Sequence, residues 1–498
     1  MISGLIRNML VASVAVLMPL MASALERTTP EMQGVPSRAV EALFDSLTSM
    51  PDVDIHSVMV LRHGKVIGEI YPQPFAPQYR HTVYSVSKTF TAAAVGIAIS
   101  ENRLRLTDRV AAFFPELLPD SISLRLAQIT VEDLLTMRSG IIPDRELRNH
   151  ATEWRRAFLA KPIKGEPGSS FNYDSLNSYM LSAIVQRVTG MTSFDYLNSH
   201  VFVPMGITDI AWEQSPEGIS TGGWGVYASS ESLAMFGQLL LQRGSWNGQQ
   251  LIPAEWVDQM MTLHVPEQGY GYHMWQCENG TGWRADGAFG QYIMVFPDQD
   301  MVVVVTECAN GDHRRERAMV WNTLFPHIAE GELPPSDDCQ RLLKRQSQYV
   351  LPYPEGRKSG LARLLPVTVS LEANKLGFKL LTISRNVDGT IMLRATDSSG
   401  KVTTARCGYR KWGINNNSAY PPYNVKAIGR FSNIDRNFAV AGAYAWPDSR
   451  CLRLTLHYVN WVTRVQLEVR FVDDDNVKVT ISQSTEGKPY TVHGKIVR

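Results

Sequence analysis

The period of apolar and polar positions changes along this chain, and the changes mark out its parts. The segment VDIHSVMVLRHGKVIGEIY, beginning at Val53, reads as two strands joined by a turn at His63-Gly64-Lys65. Helical runs follow: an almost wholly apolar one from Ser85, TVEDLLTM from Thr130, LNSYMLSAIVQRVTG ending at Gly190, and SSESLAMFGQLLLQRG from Ser229 with Gly244 as its stop. Strands return in GQYIMVFPDQDMVVVVTE, where the unbroken apolar run 301–305 predicts a central, buried strand. RRERAMVWNTLF is predicted as the last helix. This order implies a sheet whose middle is interrupted by a helical insertion. Past the Pro- and acid-rich stretch GELPPSDDC the period becomes two, in CLRLTLHYV, VQLEVRF and VKVTISQ, with DGT, SSGK and DDDN as turns. The expected division is a body at 25–330, a linker at 331–351 and a separate all-β domain at 352–498.

Composition adds exclusions. The 498 residues are 44% hydrophobic and 19% charged, with a formal net charge of +1, as in ordinary globular chains too long for one core. Without a basic tract there is no electrostatic footprint for nucleic acid. Arg7, the apolar run MLVASVAVLMPLM and the small residues Ala22 and Ala24 make residues 1–24 a secretory signal peptide, cleaved after Ala24. Pro19 and the shortness of the run argue against a membrane span. The mature chain is therefore expected to be exported, periplasmic or secreted, with no stable membrane span. Its five cysteines, Cys277, Cys308, Cys339, Cys407 and Cys451, are too few and odd in number for a disulfide scaffold. Cys407 with Cys451 is one candidate pair, and free buried thiols are the alternative. No C-x-x-C or H-E-x-x-H string occurs, so no metal and no cofactor is expected.

Three serines compete as nucleophile. Ser398, in TDSSGKV, has Lys401 three residues on, but Gly400 and the flanking strands make this a hairpin turn. Ser220 lies in Gly218-Ile219-Ser220-Thr221-Gly222, a G-x-S-x-G string that needs a strand before it and a helix after it; here WEQSPE precedes and GWG follows. Ser85 differs. It opens YSVSKTFTAAAVGIAI, and Lys88 lies one turn inside an apolar helix, on the same face. A serine there can serve as a simple cap. A cation at a helix N-terminus opposes the macrodipole, and a buried ammonium is costly. Such a conflict between local stability and sequence marks functional sites. The chemistry supplies a reason: a serine hydroxyl needs an adjacent base, and burial can bring a lysine pKa from ~10.4 toward neutrality.

From here the chain resembles the β-lactamase-related serine hydrolases, which include class C β-lactamases, D,D-peptidases, family VIII esterases and 6-aminohexanoate-dimer hydrolases. The likeness runs from Met32 to Phe325. YSVSKTFTA is similar to the family's Ser-x-x-Lys element, and ITVEDLLTMRSGI to the segment after it. PGSSFNYDSLNSYMLSAIVQRVTG is similar to the Tyr element, and ADGAFGQYIMVFPDQDMVVVV to the strand pair that carries Lys-Thr-Gly. The resemblance implies an α+β fold, a mainly antiparallel sheet flanked by helices with a helical insertion, followed by the all-β domain. It implies Ser85 as nucleophile, Lys88 and Tyr173 as proton carriers, and the backbone N–H groups of Ser85 and Ala288 as oxyanion hole. Ser175, Asp286, Gly287 and Gln291 take substrate-binding roles. Where the family has Lys-Thr-Gly or His-x-Gly, this chain has Ala285-Asp286-Gly287. The cation that would hold a substrate carboxylate is missing there, with Arg284 and Arg138 as candidate replacements. The phrases TMRSG and GAFGQ lean toward the esterases and 6-aminohexanoate-dimer enzymes. The implied activity is an exported serine hydrolase cleaving a small ester, amide or peptide substrate through a Ser85 acyl-enzyme. A β-lactamase or D-alanyl-D-alanine carboxypeptidase is the first alternative, and a catalytically inactive cell-wall or ligand binder the second. The oligomeric state stays open.

Overall fold

The structure, a computed structural model, describes residues 25–497 apart from 145, 312, 362–363, 419 and 436–437. The expected signal peptide at 1–24 lies outside the described residues. Among the described residues, no helix is long and apolar enough to cross a membrane.

The body is built on a six-stranded antiparallel sheet in the order Lys65–Ile70, Val53–Arg62, Met301–Ala309, Gln291–Phe296, Trp283–Gly287, Trp275–Gln276. First and last parts of the body thus meet at its centre, where Val58 pairs with Val305 and Ile293 with Val304. Met301–Ala309 is buried along its whole length. Val302 and Val304 pack toward the helical side with Phe236 and Leu239, whereas Met301, Val303 and Val305 pack toward Val40, Phe44 and Val320 on the opposite side. That two-sided burial is why the strand reads as an unbroken apolar run. The chain segment between the hairpin and the returning strands forms the helical insertion, as expected.

The central helix, Ser87–Ser100, is buried over all but its last turn. Its closeness to Ala254–Met260 depends on Gly96, where a Cβ would overlap the Trp256 ring. Ser175–Thr189 packs beside it and ends on Gly190 with φ 76°, the left-handed stop predicted from sequence.

Two expectations change. RRERAMVWNTLF forms Arg314–Leu324, but it is followed by another helix, Asp337–Gln346, inside the segment expected as a linker. Ser336 caps that helix, acids occupy its first turn and bases its last. Leu342 is buried, and Arg345 and Tyr349 bond Asp45 of Ser37–Thr48. Its narrow apolar stripe in a polar sequence hides it from a reading by hydrophobic period. Second, all five cysteines are buried and free, so the candidate pair Cys407–Cys451 is not formed.

The C-terminal domain is a ten-stranded sheet closed into a barrel. Neighbouring strands are antiparallel, and closure comes from a parallel pairing of 407–409 with 442–444. Arg464–Phe471 and Asn476–Gln483 alternate between buried and open positions, whereas Phe438–Asp448 is buried on both faces over most of its length. The reason is docking: Ala439, Ala441 and Val459 pack against Phe75 of the body, and Arg464 pairs with Asp54 at 2.8 Å.

Candidate active site

The site forms where the central helix begins. His81–Thr82 pairs with Val226–Ala228, and the chain then turns through a short 3-10 segment, Tyr84–Val86, before the helix starts at Ser87. Ser85 therefore stands in a tight turn just ahead of the helix rather than at its cap. Tyr84 takes φ 46°, an unusual conformation for a residue with a large side chain. Ser87 secures the turn, donating from Oγ to Tyr84 O at 2.6 Å and accepting from Val226 N at 3.0 Å.

Lys88 is 1% exposed. Its Nζ lies 2.9 Å from Ser85 Oγ, 3.1 Å from Ser175 Oγ and 2.7 Å from Gly223 O, and 4.7 Å from the centre of the Tyr173 ring. Gly223 is required for this approach, because a Cβ there would fall 2.6 Å from Ser175 O. Burial lowers the Lys88 pKa to about 7; the Asp174 charge opposes the shift and the Arg148 charge adds to it. Burial moves the Tyr173 phenol the other way, well above its ordinary value, against the effect of a hydrogen bond with Ser85. Two titrating groups beside one hydroxyl are thus pushed apart, an arrangement that separates acid from base.

A cavity of about 550 Å³ opens over Ser85 and is lined by Tyr173, Ser175, Asp286 and Ala288 as well. Asp174, also on its wall, caps Ser175–Thr189 through Oδ1, while its buried Oδ2 has no hydrogen-bond partner; burial raises its pKa. Asp286 faces the cavity, but Arg284 Nε binds its Oδ2 at 2.8 Å and Arg317 lies 3.7 Å away. Its charge is largely compensated.

Of the sequence-predicted residues, Ser85, Lys88, Tyr173, Ser175, Asp286 and Ala288 come together. Gly287 and Gln291 do not line the cavity. Gly287 instead allows a close approach to the Val83 carbonyl, which a Cβ would overlap. Gln291 is fully buried, and its Nε2 donates to Glu307 O at 2.7 Å and Ala288 O at 3.3 Å. It braces the turn that carries Ala288. Of the two arginines named as candidate replacements for the missing cation, Arg138 bonds Thr136 at 3.2 Å away from the cavity, and Arg284 is engaged by Asp286 and the Gln276 carbonyl, so both take structural roles. The cavity's other cation is Arg148, whose guanidinium lies 4.6 Å from the Trp224 ring centre. Sequence reasoning missed Arg148, Trp224, Trp275, Asn424 and Val425, all of which line the cavity. The last two come from the C-terminal domain, and Tyr84 donates to Asn424 Oδ1 at 3.0 Å.

The competing serines behave as expected. Ser220 is fully buried and accepts from Phe194 N at 3.2 Å. Ser398 sits in a hairpin turn whose Gly400 has φ 84°. Among the described residues, Glu307, His313 and Glu316 bring potential metal-binding atoms within 4.8 Å of one another, behind the turn and off the cavity wall.

The profile of the Beta-lactamase family matches residues 40–324. The 6-aminohexanoate-dimer hydrolase of Paenarthrobacter ureafaciens is 26% identical over 324 residues, covering 57% of this chain and 81% of that enzyme. A family VIII carboxylesterase structure aligns with 16% identity and a TM-score of 0.48, over 61% of this chain and 100% of its own. The octameric penicillin-binding protein homologue from Pyrococcus abyssi aligns over 92% of this chain and 98% of its own, with 17% identity and a TM-score of 0.46.

Proposed function

From the premise that this chain belongs to the Beta-lactamase family, we propose that it is a serine hydrolase that cleaves a small ester or amide through an acyl-enzyme on Ser85. The observation that carries this is Lys88 Nζ, buried, 2.9 Å from Ser85 Oγ and with its pKa lowered to about 7. Neutral Lys88 takes the Ser85 proton as Oγ attacks the substrate carbonyl. Tyr173, which holds its own proton, is placed to pass one to the departing alcohol or amine. The oxyanion rests on the N–H groups of Ser85 and Ala288. Water then attacks the ester carbon by the same route in reverse, and Ser85 regains its proton.

Fluorophosphonate labelling followed by mass mapping, together with hydrolysis of p-nitrophenyl butyrate, tests the assignment. One adduct on Ser85 and loss of turnover in Ser85→Ala are expected; an adduct on Ser220 or Ser398 alone would overturn it. Arg148 on the cavity wall supports a second reading, a β-lactamase or D,D-carboxypeptidase, because it can hold a substrate carboxylate. Rapid, stable labelling by a fluorescent penicillin, competed by D-Ala-D-Ala peptides, would favour that reading over the esterase.

Export belongs to the same proposal. Leu25 is 7% exposed and its backbone N lies 2.9 Å from Glu231 Oε1. Cleavage after Ala24 would put the new terminal ammonium at that position, facing a carboxylate already bound to Arg27. An intact mass beginning at Leu25 in the periplasmic or secreted fraction is expected. A cytoplasmic chain that retains residues 1–24 would refute it.

A further inference from the structure

The second cavity lies inside the C-terminal barrel. It measures about 240 Å³, well above the roughly 150 Å³ at which a dry apolar cavity takes up benzene. Leu381, Leu393, Ala395, Ala405, Leu467 and Ile481 line it and are all buried. The room comes from the two alanines: Ala405 lies across from Leu393, and Ala395 across from Thr403, on neighbouring strands. Larger apolar residues at those inward positions would fill the lumen, and leaving such a space empty is costly.

The mouth is polar on one side. Lys401 is exposed, and its ammonium lies 5.2 Å from the Tyr420 ring centre. Asp397 is there too; its Oδ1 accepts from Ser399 N, Ser399 Oγ and Lys401 N at 2.8, 2.7 and 3.0 Å, which ties that carboxylate to the turn. Lys401 is the cationic side chain on this lining.

We propose that the barrel lumen binds one amphiphile of the long-chain carboxylate type, with the alkyl chain inside and the head at Lys401. The inference stands apart from the chemistry at Ser85, since an inactive chain with this barrel would bind the same ligand.

The full chain is titrated with 11-(dansylamino)undecanoic acid, and the bound probe is displaced with dodecanoate or dodecanol. Saturable one-to-one binding with blue-shifted emission is expected. Ala405→Phe, which fills the lumen, should weaken probe and dodecanoate by about tenfold or more. Lys401→Glu, an exposed change that leaves the core intact, should weaken dodecanoate by about fivefold and leave dodecanol within about twofold. Absence of saturable binding in the wild-type chain would overturn the proposal. So would wild-type affinity in a folded Ala405→Phe, or displacement of the probe by p-nitrophenyl butyrate with no effect of either barrel variant. Should Ala405→Phe fail to fold, Lys401→Glu decides: equal affinity for dodecanoate in variant and wild type refutes the site.

Discussion

Ser85 and Lys88 have a counterpart of identical spacing at Ser398 and Lys401, in the other domain. At the first pair a 3-10 turn leads into a buried helix, and the lysine is enclosed between Ser175, Gly223 and Tyr173. At the second pair a glycine interrupts the spacing within a hairpin, Asp397 binds the backbone, and the lysine stands in solvent. The residues are the same, yet the first lysine is buried, with its pKa pushed to about 7, and the second is exposed. Enclosure favours the neutral amine over the ammonium, and the backbone holds its Nζ against Oγ.

The contrast is most directly broken by exchanging the serines. Ser85→Ala should lower kcat for p-nitrophenyl butyrate by about 10⁴-fold or more, and Ser398→Ala should stay within about twofold of wild type. Lys88→Met should cost about 10³-fold in kcat, within the range of a positioned general base, and Lys401→Met should leave ester turnover unchanged. The pH profile sharpens the same difference. In the proposed mechanism neutral Lys88 is the reactive form, so kcat/KM should rise with pH to a plateau with an apparent pKa of about 7, and at two units below it activity should be down about a hundredfold. Stability follows the same group with a definite sign. The unfolded lysine titrates near ~10.4 and the folded one lower, so the unfolded chain binds more protons between the two values. Stability should therefore increase as pH rises from about 7 toward 10, and Lys88→Met should flatten that slope in thermal melts. The smallest effect is expected at the domain junction: Asn424→Ala removes the Tyr84 partner and should raise KM by about three- to tenfold, the scale of one buried hydrogen bond.

Much of this is legible in the amino-acid sequence. The hairpin at His63-Gly64-Lys65, the two-sided strand at 301–305 and the order Ser85, Lys88, Tyr173, Ala288 follow from period, turn chemistry and family resemblance. The features that do not show in the sequence share a physical cause. Arg148 sits on a four-residue helix too short to show a period, and Asn424 reaches the cavity through a domain contact some 340 residues from Tyr84. Barrel closure is hidden for the same reason: alternation reports which face of a strand is buried, not which distant strand lies beside it, and the parallel pair 407–409 with 442–444 leaves no local trace. Gln291 misleads because the resemblance assigns it by its place in GAFGQ, and place in a motif does not say which way a side chain turns. Here its amide satisfies carbonyls inside the wall.

The segment 420–425 presents Tyr420 and Pro422 to the barrel lumen and Asn424 and Val425 to the space above Ser85. It is a partition with a chamber on each side. A guest that shifts this partition from the barrel side changes ester affinity by some factor, and the ester must change the guest's affinity by that same factor. Ester saturation curves recorded with and without dodecanoate would therefore weigh a barrel occupant that carries no label, using the reaction next door as the balance.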